Sequence, residues 1–246
     1  MNQKLILRIV GLILCIEALC MLPPLLVAAV SGGPDMPAFL RSVAICGGVG
    51  GLLALTRPDD PRLQTRDGFV CVALCWIVLG LFGALPYFFS HSCDFMDAFF
   101  ETVSGLTTTG ASIFSAPSAL PRGIQLWRAL TQWMGGMGIL VLVLALLPKI
   151  SEGSVNLMKA ESPGPISTKL RPRTGETARI LYRIYIALTA IEAVVLRIVG
   201  LPWFDALTTA LTTISTGGFS IRDASIAYYH SSLINWILVF FMFAAS

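Results

Sequence analysis

Apolar residues run in long, nearly unbroken stretches along this chain, and the charged residues collect between those stretches. A helix that crosses the hydrocarbon core of a bilayer needs about 20 apolar residues. Segments 5–30, 38–56, 69–90 and 124–147 reach that length, and 180–201 is a fifth. A sixth begins near Ser232 and has run about 15 residues at Ser246, which is short for a span. The first run is too long for the core of a signal peptide and reads as a retained helix. Pro23, Pro24 and Pro86 fall where a missing N–H would kink or end a helix.

The connections differ in charge. Arg57, Arg62 and Arg66 occupy the second, and Lys149, Lys159, Lys169, Arg171, Arg173 and Arg179 occupy the fourth, while the others hold few basic residues. The positive-inside rule therefore puts both connections in the cytoplasm, together with the N-terminus and its Lys4 and Arg8. Loops 91–123 and 202–231 then face outward. Each contains an apolar stretch too short to span, Phe95 to Leu106 and Trp203 to Ile214. About 18 Å of helix suits a segment that enters the membrane and turns back.

Composition narrows the class further. Of 246 residues, 55% are hydrophobic and 13% charged, more apolar surface than a soluble domain can bury, so lipid is part of the solvent. The net charge of +3 is too small and too divided to imply a nucleic-acid partner. Five of the six cysteines lie in apolar runs, and only Cys93 falls in a polar loop, which argues against a disulfide framework. Cys71 and Cys75 share a helix face but have no histidine or third thiol nearby to complete a metal site. No nucleophile with a paired base and no phosphate loop is present, so a non-enzyme without a cofactor is expected.

The two outer loops repeat one another. DAFFETVSGLTTTGASI from Asp97 aligns without a gap with DALTTALTTISTGGFSI from Asp205, an offset of 108 residues. Asp97 matches Asp205, Ala98 matches Ala206, Thr108 matches Thr216, Gly110 matches Gly218, Ser112 matches Ser220, and Ile113 matches Ile221. The unit of helix, short helix, polar turn and helix therefore occurs twice. Each short helix is followed by Thr, Ser and Gly: Thr107, Thr108, Thr109 and Gly110 in the first unit, Ser215, Thr216, Gly217 and Gly218 in the second. Backbone carbonyls can replace the water of a dehydrated cation where glycine permits unusual backbone angles, and Gly110 and Gly218 fit that role. The negative C-terminal end of each short helix would point at the same place.

The stretches FFETVSGLTTTGA (99–111), QWMGGMGILVLVLALLP (132–148) and TTISTGGFS (212–220) resemble those of the Trk/Ktr potassium-uptake family, and its TrkH-like members most. The resemblance covers essentially the whole chain. It implies an all-α integral membrane protein in which two extra N-terminal helices precede two helix, re-entrant pore loop, helix repeats of a potassium-channel-like pore. It further implies potassium contacts from Thr108, Thr109, Gly110, Thr216, Gly217 and Gly218, with Thr107, Ser215 and Glu101 in support. A cytoplasmic nucleotide-binding regulatory subunit, association into a homo-oligomer and location in the inner membrane follow from the same resemblance. Whether uptake is a symport or channel-like stays open.

The expected organisation is an N-terminal helix pair (1–67), a first pore repeat (68–148), a basic connection (149–179) and a second pore repeat (180–246) truncated in its last helix. Two units enclose a fourfold pore only if chains associate or the sequence continues past Ser246. The alternative is a truncated or assembly-only fragment without transport activity. Glu17 and Glu192 lie within spans, as functional groups or as hydrogen-bonded structural ones. Gly135, Gly136 and Gly138 read as close packing or a hinge, and Arg128 and Arg197 as arginines snorkelling to the interface. His91 and His230 sit in the outer loops without a special role.

Overall fold

The computed structural model describes residues 2–58, 65–138 and 174–245, and its regular elements there are all helical. The first apolar run forms α1 (Gln3–Cys20) and α2 (Leu22–Ser31), separated at Met21. Pro23 and Pro24 cannot donate to the carbonyls of Leu19 and Cys20, so the helix breaks and restarts there. α3 (Met36–Ala54) returns. α4 (Thr65–Gly83) and the short α5 (Leu85–Phe89) are divided at Ala84 for the same reason, with Pro86 at the restart. Gln3–Ser31, Met36–Ala54 and Asp67–Phe89 are each long and apolar enough to cross a membrane.

The short stretches of the outer loops are helices with the predicted bounds. α6 (Phe95–Leu106) follows α5, and α7 (Arg122–Gly136) returns from the first loop. After residues 139–173, α8 (Thr174–Ile198) leads to α9 (Trp203–Ile214) and α10 (Ser232–Ala245). The predicted span 124–147 thus begins as α7, and its residues from 139 onward lie outside the described residues. So do Arg62, Lys149, Lys159, Lys169, Arg171 and Arg173 of the basic connections.

Polarity is inverted relative to a water-soluble bundle. Leu26, Val30, Leu52 and Phe243 are exposed, whereas Glu17, Glu101, Arg128, Gln132 and Glu192 are buried, the arrangement expected when lipid is the outer solvent and polar groups must find partners inside. Glu17 accepts from the Cys46 thiol at 3.7 Å. The Cys71 and Cys75 sulfurs lie 4.0 Å apart, and no cluster of three or more His, Cys, Asp or Glu among the described residues is disposed to hold a metal.

Two contacts fasten α7 to the helices before it, one to α4 and one to the start of α3. Trp127, fully buried, donates its indole N–H to the carbonyl of Gly83 at 2.9 Å. Asp35 precedes α3, yet it makes no side-chain cap there, because Pro37 at the second helical position has no N–H to offer. Its Oδ2 instead accepts from the Ile124 N–H at the start of α7, 3.2 Å away. α7 needs that help, since its own N-cap residue is Pro121, which has no side-chain acceptor. Gly123 leaves the room: a Cβ there would collide with Asp35 Oδ2. Asp35→Ala should therefore cost about 1–2 kcal/mol, seen as a lower thermal midpoint of the detergent-solubilised protein, with Asp35→Asn closer to wild type.

Candidate functional site

Both candidate loops begin with the same helix ending. In the first, Thr109 N donates to Ser104 O (3.0 Å) and Thr108 N to Gly105 O (2.9 Å); in the second, Gly217 N donates to Thr212 O (3.0 Å) and Thr216 N to Thr213 O (2.9 Å). This pair of bonds is the Schellman motif, which turns the chain by putting one residue in the left-handed region. That residue is usually glycine. Here it is Thr108 and Thr216, each at φ 53°, although a β-branched side chain disfavours that region. Thr109 and Gly217 revert to negative φ, and Gly110 (φ 75°) and Gly218 (φ 80°) are positive again. The alternation of sign is thus identical in the two loops. Thr107 and Ser215 are the C-caps of α6 and α9, and neither helix has a basic residue in its last turn.

The loops touch. A Cβ on Gly110 would strike the carbonyl oxygen of Gly217, whereas one on Gly218 would meet nothing within 4 Å. Gly110 is therefore required by both contact and φ, Gly218 by φ alone. α7 runs behind the pair. Gly135 lies against the backbone of Leu106, and a Cβ on Gly136 would come within 2.8 Å of the Ser215 Cα, so this glycine pair packs the ends of α6 and α9 against one helix. α7 is held to α8 by Trp133 Nε1 donating to Thr189 Oγ1 (3.1 Å) and Tyr185 OH donating to Trp133 O (3.0 Å).

Nearer the start of α7 stands Arg128, and here the structure corrects the snorkelling expectation. Arg128 is buried, 2% exposed. Its Nε donates to Glu101 Oε1 at 2.8 Å, Nη2 to Ser112 Oγ at 3.0 Å and Nη1 to Ser220 O at 2.9 Å. Ser112 and Ser220 are equivalent positions of the repeat, so one guanidinium ties the two loops at matching places. Its carbon lies 4.4 Å from the centre of the Phe219 ring and 5.6 Å from that of Phe114, cation–π distances. Glu101 also accepts from Ser112 Oγ (3.0 Å) and Ile113 N (3.0 Å), and so braces the segment that follows the first loop. Arg197, by contrast, is exposed and donates to Leu201 O at 3.2 Å.

The second loop is braced from a different position. Thr209 occupies the site equivalent to Glu101, and Trp236, equivalent to Arg128, is 73% exposed. Asp205 does the work instead: its Oδ2 accepts from Arg222 Nε (3.0 Å) and Nη2 (2.6 Å) and from Tyr229 OH (2.9 Å). Its counterpart Asp97 is exposed. Burial, reinforced by the bond to Asp205, pushes the Tyr229 phenol up to about 12. The bond to Asp205 likewise raises Arg222. Both loops keep one local turn, in which Ser112 Oγ accepts from Phe114 N (3.1 Å) and Ser220 Oγ from Arg222 N (3.0 Å). Asp223 then crosses between loops, accepting from Ser118 N (3.0 Å) and Oγ (2.6 Å), bonds that hold its carboxyl below the usual range.

Of the sequence-predicted site residues, the structure brings Gly110 against the Gly217 carbonyl, gives Thr108 and Thr216 the same left-handed backbone, and sets Glu101 behind the segment that follows the first loop. Sequence reasoning missed Arg128, Asp35 and the Asp205, Arg222, Tyr229 cluster. The one available signal was the pairing of an acidic residue on a short helix with an arginine on the return helix.

Comparison with known proteins gives consistent matches. The family described as TrkH, cation transport protein, matches residues 35–246. The chain is 43% identical to the Trk system potassium uptake protein TrkH of Halomonas elongata over 246 residues, covering 98% of this chain and 51% of that protein. It is 35% identical to the Trk system potassium uptake protein TrkG of Escherichia coli K12, covering 96% of this chain and 50% of that protein. The crystal structure of the potassium transporter TrkH from Vibrio parahaemolyticus superposes with a TM-score of 0.83 at 37% identity, over 98% of this chain and 49% of that one. The chain spans about half the length of the curated relatives it matches.

Replacing Arg128 by Leu should leave the Glu101 carboxylate buried without its counter-charge and cost about 3–5 kcal/mol. Replacing the more exposed Arg222 by Leu should cost less, and thermal unfolding of the two solubilised variants would give that order.

Proposed function

The chain belongs to the TrkH cation transport family, and from that premise we propose that it forms part of the potassium-translocating path of a Trk-type uptake protein. The observation that carries the reading is the recurrence of one strained backbone conformation at two contacting places. A left-handed threonine, a residue at negative φ and a glycine at positive φ follow the C-terminal end of a short helix in both loops. Alternating φ signs let consecutive peptide groups share an orientation, which is what a row of ion-facing carbonyls requires. Strain of this kind persists only where the surroundings over-determine it, and the packing of Gly135 and Gly136 against the ends of α6 and α9 supplies that constraint.

On this reading Thr108, Thr109, Gly110, Thr216, Gly217 and Gly218 contribute two strands of a selectivity filter, with Thr107, Ser215 and Glu101 in support. The short helices α6 and α9 enter the membrane from outside and direct their negative ends at a potassium ion between the loops. The N-terminus and the basic connection 149–179 then face the cytoplasm of a cell bounded by the inner membrane. That is the side on which the nucleotide-binding regulatory subunit implied by the resemblance would dock. A second copy of the protein is the remaining partner implied. The domain plan follows: a helix pair (1–67), two pore repeats (68–148 and 180–246) and the connection between them.

Gly110→Ala should abolish potassium uptake, because the added methyl meets both the Gly217 carbonyl and a disfavoured φ. Gly218→Ala, which meets only the φ penalty, should retain residual uptake with weaker selectivity. Potassium-limited growth of cells dependent on the full-length protein, with flux in proteoliposomes, measures both; wild-type uptake and selectivity in the two variants would sink the filter assignment.

A further inference from the structure

Gln132 lies one turn beyond Arg128 on α7 and is fully buried, at 0% exposure. Its Oε1 accepts the backbone N–H of Phe219 at 3.0 Å, the residue that follows Gly218. The same amide is pressed against Gly217, where any Cβ would run into its amide carbon and come within 2.6 Å of Nε2. Across the seam, a Cβ on Gly110 would stand 3.8 Å from that Nε2 while striking the Gly217 carbonyl. One side-chain amide therefore touches the strand that ends at Gly218 and reaches the strand that ends at Gly110.

Its two ends are used unequally. The acceptor end is hydrogen-bonded, whereas Nε2 is buried with no hydrogen-bond partner. A buried donor without a partner is unfavourable and uncommon in native structures. An apolar side chain of the same size would avoid that loss, so packing alone does not account for an amide here. The amide holds Phe219, and with it the Gly217 and Gly218 carbonyls, at a set distance from the first strand, with its donor end wedged beside Gly110.

We infer that Gln132 is a positioning residue that sets the separation of the two candidate filter strands and, through it, the discrimination of potassium against the smaller sodium ion. The inference rests on the filter reading above. Discrimination is sensitive to strand spacing whether it arises from cavity size or from the number and field strength of the carbonyls.

The test is potassium and sodium uptake by the full-length protein in proteoliposomes, for wild type, Gln132→Leu and Gln132→Asn. Gln132→Leu keeps the bulk and removes the bond to Phe219; Gln132→Asn keeps the amide and retracts it by one methylene. Gln132→Leu should lower the potassium-to-sodium preference roughly tenfold, at wild-type amounts of inserted protein. Gln132→Asn should shift it in the same direction and decides the matter if the leucine variant does not insert. A lower uptake rate at an unchanged preference, in whichever variant inserts, overturns the inference. Wild-type protein that moves no potassium overturns the functional reading itself, and the inference with it.

Discussion

Arg128 carries a positive charge into a site almost closed to solvent, and the arrangement of both candidate loops follows from how that charge is met. A buried ion is tolerable only when an opposite charge and hydrogen bonds replace its lost hydration. The replacements come from three separate segments: Glu101 on α6, Ser112 beyond the first loop and the Ser220 carbonyl beyond the second. None of these can retreat without leaving a guanidinium donor or the Glu101 carboxylate unpaired. The rings of Phe114 and Phe219 lie against the same guanidinium and add cation–π attraction to these bonds. A single charge therefore makes two turns, far apart in sequence, into one unit.

That unit is mounted on α7. Arg128, Gln132, Gly135 and Gly136 recur at intervals that place them on neighbouring turns of one helix face. The face presents a charge, an amide and then two positions without side chains, and the ends of α6 and α9 pack against the last of these. Asp35 in turn fastens α7 to the N-terminal pair, and Trp127 fastens it to α4. The N-terminal pair is thus mechanically connected to the loops through the helix that bears their braces, although it contributes no residue to them.

The repeat is conserved in backbone and divergent in bracing. Both loops share the Schellman ending, the left-handed threonine and the serine turn. These are local features, set within a few residues, and they survive wherever the local sequence does. The braces are long-range, and they differ: Glu101 with Arg128 in one unit, Asp205 with Arg222 and Tyr229 in the other. Arg128 reaches both loops, but its carboxylate partner belongs to the first unit alone, and the second carries its own ion pair between Asp205 and Arg222.

The amino-acid sequence by itself determined the helices, the two short segments and the offset between the loops. A membrane span demands a length of apolar residues, and proline interrupts it at a predictable bond, so Phe95–Leu106 and Trp203–Ile214 were legible to the residue. Glycine at 110 and 218 was legible too, because few other residues suit positive φ. The left-handed threonines were not: residue preference argues against them, and only the packing around the helix ends holds them there. Nor was the role of Arg128, since an arginine near a helix end ordinarily reaches water. Its partners lie 27, 16 and 92 residues away, and the capping of α7 by Asp35 spans 89 residues. Periodicity and propensity act over a few residues, whereas burial of a charge depends on which distant segments the folded chain brings around it. That was decided only in the tertiary structure.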